Sequence, residues 1–347
     1  MNSGLSFYLG NVIVSFLVTA LTIVPFINAL YRFKFQRQKQ TTIDALGKRS
    51  PIFDKFHQHK AGTPVGGGLL IMAVVTGLFC LLMLLMRATG MRIGTVYPLR
   101  SEIFIIFFTF LSYGALGFYD DLKKFFGFSS AQFFGLRMKH KFALQWILAF
   151  IIATMLYRLL GISFLHIPFF GTLNLGWIYI PFAAFTIVSF TNAVNITDGL
   201  DGLSSGVLMI CLFGFWILSA SILDTPLSVF VSLWIGSLIA FLYFNVYPAR
   251  IWLGDVGALS FGATLAVVGL LLGKVVGLFV IGAIFFFEVL TSGLQLMSKA
   301  TRKKKLFPVA PFHLYLQYIG WEEPKIVVRM WLAGIILTIV GLWISLL

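Results

Sequence analysis

Apolar residues run through this chain in long blocks separated by short polar ones. A helix needs about 20 predominantly apolar residues to cross a bilayer. Ten stretches qualify: 5–30, 65–86, 102–119, 142–160, 176–194, 203–221, 227–244, 257–273, 275–297 and 326–346. The pattern predicts an all-α polytopic membrane protein of about ten transmembrane helices, forming a single integral membrane domain over residues 1–347. The eighth and ninth stretches are the least distinct, because only Gly273-Lys274 marks their boundary. Residues 161–175, with His166 and Pro168, read as a short hairpin.

Composition strengthens this reading. The chain is 59% hydrophobic and 11% charged, with a mean hydropathy of +0.96, whereas soluble domains carry roughly 25% charged residues. Cys80 and Cys211 lie inside apolar runs and imply neither a disulfide framework nor a metal cluster. The first apolar run has no charge before Arg32 and is too long for a cleaved signal peptide, so it reads as the first span.

The net charge of +14 is concentrated in a few segments. That distribution speaks for membrane orientation and against nucleic acid. Segments 31–64, 120–141, 192–202, 245–256 and 298–325, with Arg329, hold 21 basic residues; the segments of the other side hold 5. The excess of Lys and Arg puts the first set in the cytoplasm and both termini outside. Nine of the twelve acids fall on that same side, which locates the chemistry there.

The stretch 191–203, TNAVNITDGLDGL, carries Asn192, Asn195, Asp198 and Asp201 at three-residue steps. Such steps keep side chains on one helix face. Polar groups at the mouth of a span are costly unless they have a task, and a capping turn needs one such group, not four. Asp120 and Asp121 end another span, followed by Lys123 and Lys124. Adjacent carboxylates repel and call for a cation, and Mg²⁺ is the hard cation that takes oxygen ligands while keeping positions open for phosphates. Lys139 and Lys141 begin the fourth span. Asn245, Trp252 and Asp255 lie in NVYPARIWLGDVGALSFG, with Gly254 and Gly257 near the acid.

Each of these has a bland alternative. Asp255 suits a helix N-cap, Trp252 an interfacial belt, His313 a structural role, and the basic run Arg302–Lys305 attraction to anionic headgroups. Gly66, Gly67 and Gly68 suit either a ligand or a neighbouring helix. His57 and His59 in a basic loop are weak metal candidates. Glu288, inside the ninth span, marks a functional site by default, with bonding to Ser292 or Gln295 as the alternative. Jointly, carboxylates, amides and Lys60, Lys124 and Lys141 at one depth describe Mg²⁺-assisted phosphate chemistry.

The segments HKAGTPVGGG, GFYDDLKK, NAVNITDGLDGL, GDVGALSFG and APFHLYLQYIGWEEPKIVVRMW occur in that order between residues 57 and 331. With them the chain resembles the bacterial phospho-N-acetylmuramoyl-pentapeptide-transferases of the polyprenyl-phosphate N-acetylhexosamine-1-phosphate transferase superfamily. The resemblance implies a homodimer in the bacterial inner (cytoplasmic) membrane with an active-site cleft on the cytoplasmic face. The implied reaction moves phospho-MurNAc-pentapeptide from UDP-MurNAc-pentapeptide to undecaprenyl phosphate, giving lipid I and UMP. It further implies Asp120, Asp121 and Asp255 as catalytic and metal-site acids, His313 as a catalytic residue, and Asn192, Asn195, Asp198 and Asp201 as the cleft wall. Lys60 and Trp252 match positions near the uridine, Lys124 and Lys141 match lysines near the phosphates, and Asn245 joins the substrate-binding set.

Two departures stand out. Where the family usually has three histidines, this chain has His313, Leu314 and Tyr315; and Val65 and Gly66 follow the Gly-Thr-Pro turn in place of Thr and Met. Three other readings are a sister transferase using UDP-GlcNAc, a transporter coupled through Glu288, and a non-catalytic nucleotide-binding scaffold. Acids gathered at one face, with no internal repeat, argue against the transporter.

Overall fold

The computed structural model describes residues 2–36, 60–126 and 138–347. The described helices are α1 (Asn2–Arg32), α2 (Gly67–Ala88), α3 (Leu99–Phe126), α4 (Met138–Leu160), α5 (Tyr179–Thr197), α6 (Leu203–Ser221), α7 (Thr225–Asn245), α8 (Gly254–Leu271), α9 (Val275–Ile281), α10 (Ala283–Thr301), α11 (Phe312–Tyr318) and α12 (Glu323–Leu346). Nine of them are long and apolar enough to cross a membrane, and α9 with α10 makes a tenth, broken candidate. The all-α polytopic architecture is as the apolar pattern predicts. Residues 161–175 form the expected hairpin, with β1 (Phe164–Ile167) antiparallel to β2 (Gly171–Asn174).

The ninth predicted span differs from the expectation. It is not one helix: α9 and α10 meet at Gly282 with a bend of 79°. Glycine is a poor helix former, and Phe190 of α5 fills the place a side chain at 282 would take: a Cβ there would lie 2.6 Å from its ring.

Helix α8 is the hub. It is apolar all round, and such a helix has to be surrounded by protein. It packs against α2, α3 and α5. Small residues set the approach: a Cβ on Gly68 of α2 would stand 2.2 Å from the Gly257 Cα of α8. Helices without a hydrophobic drive toward each other in lipid associate through such close contacts and through hydrogen bonds. The α1–α7 pair adds the second device, with Ser15 Oγ donating to the Leu233 carbonyl at 2.6 Å and Thr19 Oγ1 to Ser237 Oγ at 2.9 Å. Phe79, Phe107, Phe110, Phe230, Trp234 and Phe261 form one aromatic cluster between the helices, so this part of the phenylalanine content is core.

Ahead of α2, the Gly-rich turn pairs with the strip before α8. Trp252 N–H donates to the Pro64 carbonyl at 2.9 Å, and Gly66 and Gly67 N–H both donate to the Trp252 carbonyl. These glycines therefore serve close packing, one of their two expected uses.

Gly68→Ala is predicted to lower stability by about 1–3 kcal/mol through overpacking. Gly77→Ala on the same helix, where a Cβ meets nothing within 4 Å, is predicted to be neutral or stabilising. Thermal melting of the two variants in detergent checks the contrast.

Candidate active site

Two helix ends deliver three carboxylates to one point. Asp120 and Asp121 lie in the last turns of α3 and Asp255 in the first turn of α8. Asp120 and Asp121 are each 2% exposed. Carboxylates so far from water need cations or donated hydrogen bonds. Lys124, one turn after Asp120, lies 2.7 Å from Asp255 Oδ2 and 3.1 Å from Asp120 Oδ2. Lys141, from the start of α4, lies 3.0 Å from Asp120 Oδ2 and also pairs with Asp255 Oδ2. Asn195 Nδ2 donates to Asp255 Oδ1 at 3.2 Å. The lysines thus bridge two acids that are 135 residues apart in sequence.

Asp121, whose Oδ1 lies 3.9 Å from Lys124 Nζ, also anchors the start of α8. Its Oδ2 accepts the Val256 N–H at 3.0 Å and so satisfies one of the free amides at the start of α8. Gly254 makes room for it. That residue has φ +79°, a conformation that favours glycine, and a Cβ there would sit 2.9 Å from Asp121 Oδ2.

A second cluster forms around Lys60, which is 4% exposed. Its Nζ donates to Asp201 Oδ1 at 2.9 Å and to Glu323 Oε1 at 2.5 Å. Glu323 Oε1 also accepts the Asp201 N–H at 2.6 Å, and Asp201 Oδ2 accepts the Ala249 N–H at 2.9 Å. The Lys60 ammonium lies 5.7 Å from the Trp252 ring centre, within cation–π range. Asp198 feels both clusters. Burial pushes its carboxyl up to about 8, Asp255, Asp121 and Asp201 push the same way, and Lys60 pulls it down.

Against known proteins, residues 103–273 match the family described as Glycosyl transferase family 4. Over 337 residues the chain is 33% identical to the phospho-N-acetylmuramoyl-pentapeptide-transferase of Bacillus pumilus, covering 96% of each chain. The chain belongs to the phospho-N-acetylmuramoyl-pentapeptide-transferase family. The Aquifex aeolicus relative is 37% identical over 308 residues, covering 82% of this chain and 80% of its own. The Oceanobacillus iheyensis relative is 32% identical over 340 residues, at 96% of each. Both carry the same transferase name. This family member is an enzyme, a multi-pass membrane transferase.

Within the transferase, several residues singled out from spacing sit differently from expectation. Helix α5 ends at Thr197, so Asp198 and Asp201 project from a turn and not from one helix face with Asn192 and Asn195. Asn192 Nδ2 bonds Gln145 Oε1 at 2.7 Å and the Val188 carbonyl at 2.8 Å. Asn245 is 3% exposed and bonded at both ends of its amide, to Ser205 Oγ at 2.5 Å and the Ile251 carbonyl at 2.9 Å. Glu288 bonds neither Ser292 nor Gln295: its carboxylate accepts from His313, while Gln295 clamps the backbone of residues 306 and 307. Trp252 stands beside Lys60. Glu323 was not singled out by sequence. Its signal was an acid in the first turn of a helix, which local reading cannot distinguish from ordinary capping. His57 and His59 lie outside the described residues.

The donor chemistry fits a Mg²⁺ ion. Among the described residues no group of three or more His, Cys, Asp or Glu closes into a full ligand set. Mg²⁺ does not need one, since it is commonly held by one or two carboxylates together with substrate phosphates. Asp255 and Asp120 are suited, because their Oδ2 atoms already share two ammonium groups and the Asp255 side chain keeps 16% exposure.

A carboxyl held at about 8 favours its protonated form in the folded protein, so its contribution to stability is fully present below the ordinary value of 3.8 and is lost progressively as pH rises to about 8. Asp198→Asn removes the effect. In Mg²⁺-free buffer the melting temperature of Asp198→Asn relative to the unsubstituted protein is predicted to rise between about pH 4 and about pH 8 and to level off above that.

Proposed function

We propose that the chain transfers phospho-MurNAc-pentapeptide from UDP-MurNAc-pentapeptide to undecaprenyl phosphate, producing lipid I and UMP in peptidoglycan synthesis. An oxygen of the lipid phosphate attacks the phosphorus that bears the sugar. The bond from that phosphorus to the bridging oxygen breaks, and UMP leaves with the electron pair. A phosphate monoester with a second pKa near 6 is largely ionised at neutral pH, so no strong base is required. The task is to hold two anions in line and neutralise them.

The observation that carries this reading is the bridge of Lys124 and Lys141 across Asp120 and Asp255. Both lysines are poised to exchange carboxylate oxygens for substrate phosphates. Asp120 orients the lipid phosphate. A Mg²⁺ held by Asp255 and Asp120 would supply further charge neutralisation on the pyrophosphate. Asp121 holds the start of α8, and with it Asp255, in register. Lys60, Asp201 and Trp252 receive the uridine, and Asp198 and Asn195 line the cleft between the two clusters. The excess of Lys and Arg at the cluster end supports a cleft facing the cytoplasm and termini facing outward. The family resemblance supports a homodimer in the bacterial inner membrane.

UMP release by purified protein with both substrates tests the reading. Release is predicted to require Mg²⁺ and to stop with a chelator. Asp255→Asn is predicted to slow it by about two to three orders of magnitude, the scale of losing one pre-organised electrostatic partner. Activity with UDP-GlcNAc alone would overturn the choice of sugar, and full activity of Asp255→Asn would overturn the site.

A further inference from the structure

Among the described residues, the pair Glu288–His313 is a buried ionisable contact at this end of the bundle that the reaction as described does not use. Both residues are 0% exposed. Glu288, on α10, accepts two hydrogen bonds from the start of α11. The His313 N–H donates to Oε1 at 3.1 Å, and His313 Nδ1 lies 3.1 Å from Oε2. Where Oε2 is the acceptor of this contact, the ring proton belongs to Nδ1. The opposite nitrogen, Nε2, is buried without a partner.

That nitrogen faces one place. A Cβ on Gly199 would come 2.7 Å from Nε2. Gly199 is part-exposed in the turn that follows Asp198, between the Asp255 and Lys60 clusters. Gly199 carries no side chain to cover the ring on that side. The elements packed around α11 bring other charged groups: Lys299 on α10, Glu323, Lys325 and Arg329 on α12, and Asp198 and Asp201 on the turn. Among the described residues, Glu288 alone is bonded to the ring. An unpartnered buried nitrogen costs free energy unless it has a use, and a carboxylate behind a histidine fixes both tautomer and orientation.

We propose that Glu288 is a positioning residue: it holds the proton on His313 Nδ1 and turns a bare Nε2 toward the Asp198–Gly199 turn, where it accepts a hydrogen bond from a hydroxyl or amide of the bound sugar nucleotide. The substrate part of this proposal rests on the transferase reading above; the tautomer part does not. It also explains how one histidine suffices where Leu314 and Tyr315 follow: the buried carboxylate does the orienting.

The test uses the full chain in detergent, labelled with ¹⁵N-histidine. His313→Gln identifies the signal among the five histidines. The expected ring signature has Nδ1 protonated and Nε2 bare, and Glu288→Ala moves the proton to Nε2. The same variant is expected to lower kcat/KM for UDP-MurNAc-pentapeptide by about 10- to 100-fold, the usual loss when the partner behind a histidine is removed. KM for undecaprenyl phosphate is expected to stay unchanged, and Glu288→Asp to recover part of the loss; a merely structural role would disturb both substrates. Should Glu288→Ala fail to fold, Gly199→Ala decides: its methyl group covers Nε2 and is expected to raise KM for the sugar nucleotide alone. An identical ring signature in unsubstituted protein and Glu288→Ala would overturn the proposal. So would unchanged KM for the sugar nucleotide in folded Gly199→Ala. If the unsubstituted protein transfers nothing from this sugar nucleotide, the transferase reading fails, and the nitrogen signature still decides the role of Glu288.

Discussion

A carboxylate withdrawn from water has to be met by a cation or by donated hydrogen bonds, and the polar end of this bundle is arranged around that constraint. Asp120 and Asp255 are met by Lys124 and Lys141, Asp121 by the Val256 amide of α8, Asp201 and Glu323 by Lys60, and Glu288 by His313. Apart from Asp120–Lys124, one turn apart on α3, these pairings join different elements, so satisfying the charges also fixes where the helix ends stand. Three acids gather around two ammonium groups in the Asp255 cluster. Such a site is suited to a hard cation and, with it, to a pyrophosphate.

The apolar interior supports this arrangement from below. Gly68 meeting Gly257 lets α2 reach the N-terminal end of α8, and that approach carries the Trp252 strip and the Asp255 turn into position. The break at Gly282 does the same on the other side. A straight helix over 275–297 would carry Glu288 along the span axis; the 79° bend turns α10 away from α9, and Glu288 bonds the start of α11.

Much of the fold was legible because a membrane span is written in local composition, and nine of the ten expected spans are single helices. Asp120, Asp121 and Asp255 were legible as candidates because acids at span ends are costly unless they have a task, and Lys124 and Lys141 because the segments that carry them resemble the family's. Their mutual contacts were not, since spacing along the chain carries no information about which helix ends meet. For the same reason Glu323 was passed over, and the bonds of Asn192 to Gln145 and of Asn245 to Ser205 could not be read from spacing. The three-residue rhythm of 192–201 suggested one helix face; the helix stops at Thr197, and the rhythm continues into a turn that faces two clusters at once.

The central claim is that the lysine-bridged acids are the place where cation and pyrophosphate meet. The most direct measurement is anomalous diffraction from crystals soaked with Mn²⁺ and UDP. The account predicts one Mn²⁺ at about 2.0–2.3 Å from a carboxylate oxygen of Asp255, with Lys124 moved from Asp255 toward a phosphate. Mn²⁺ bound elsewhere, with the Lys124–Asp255 pair intact beside bound UDP, would contradict it.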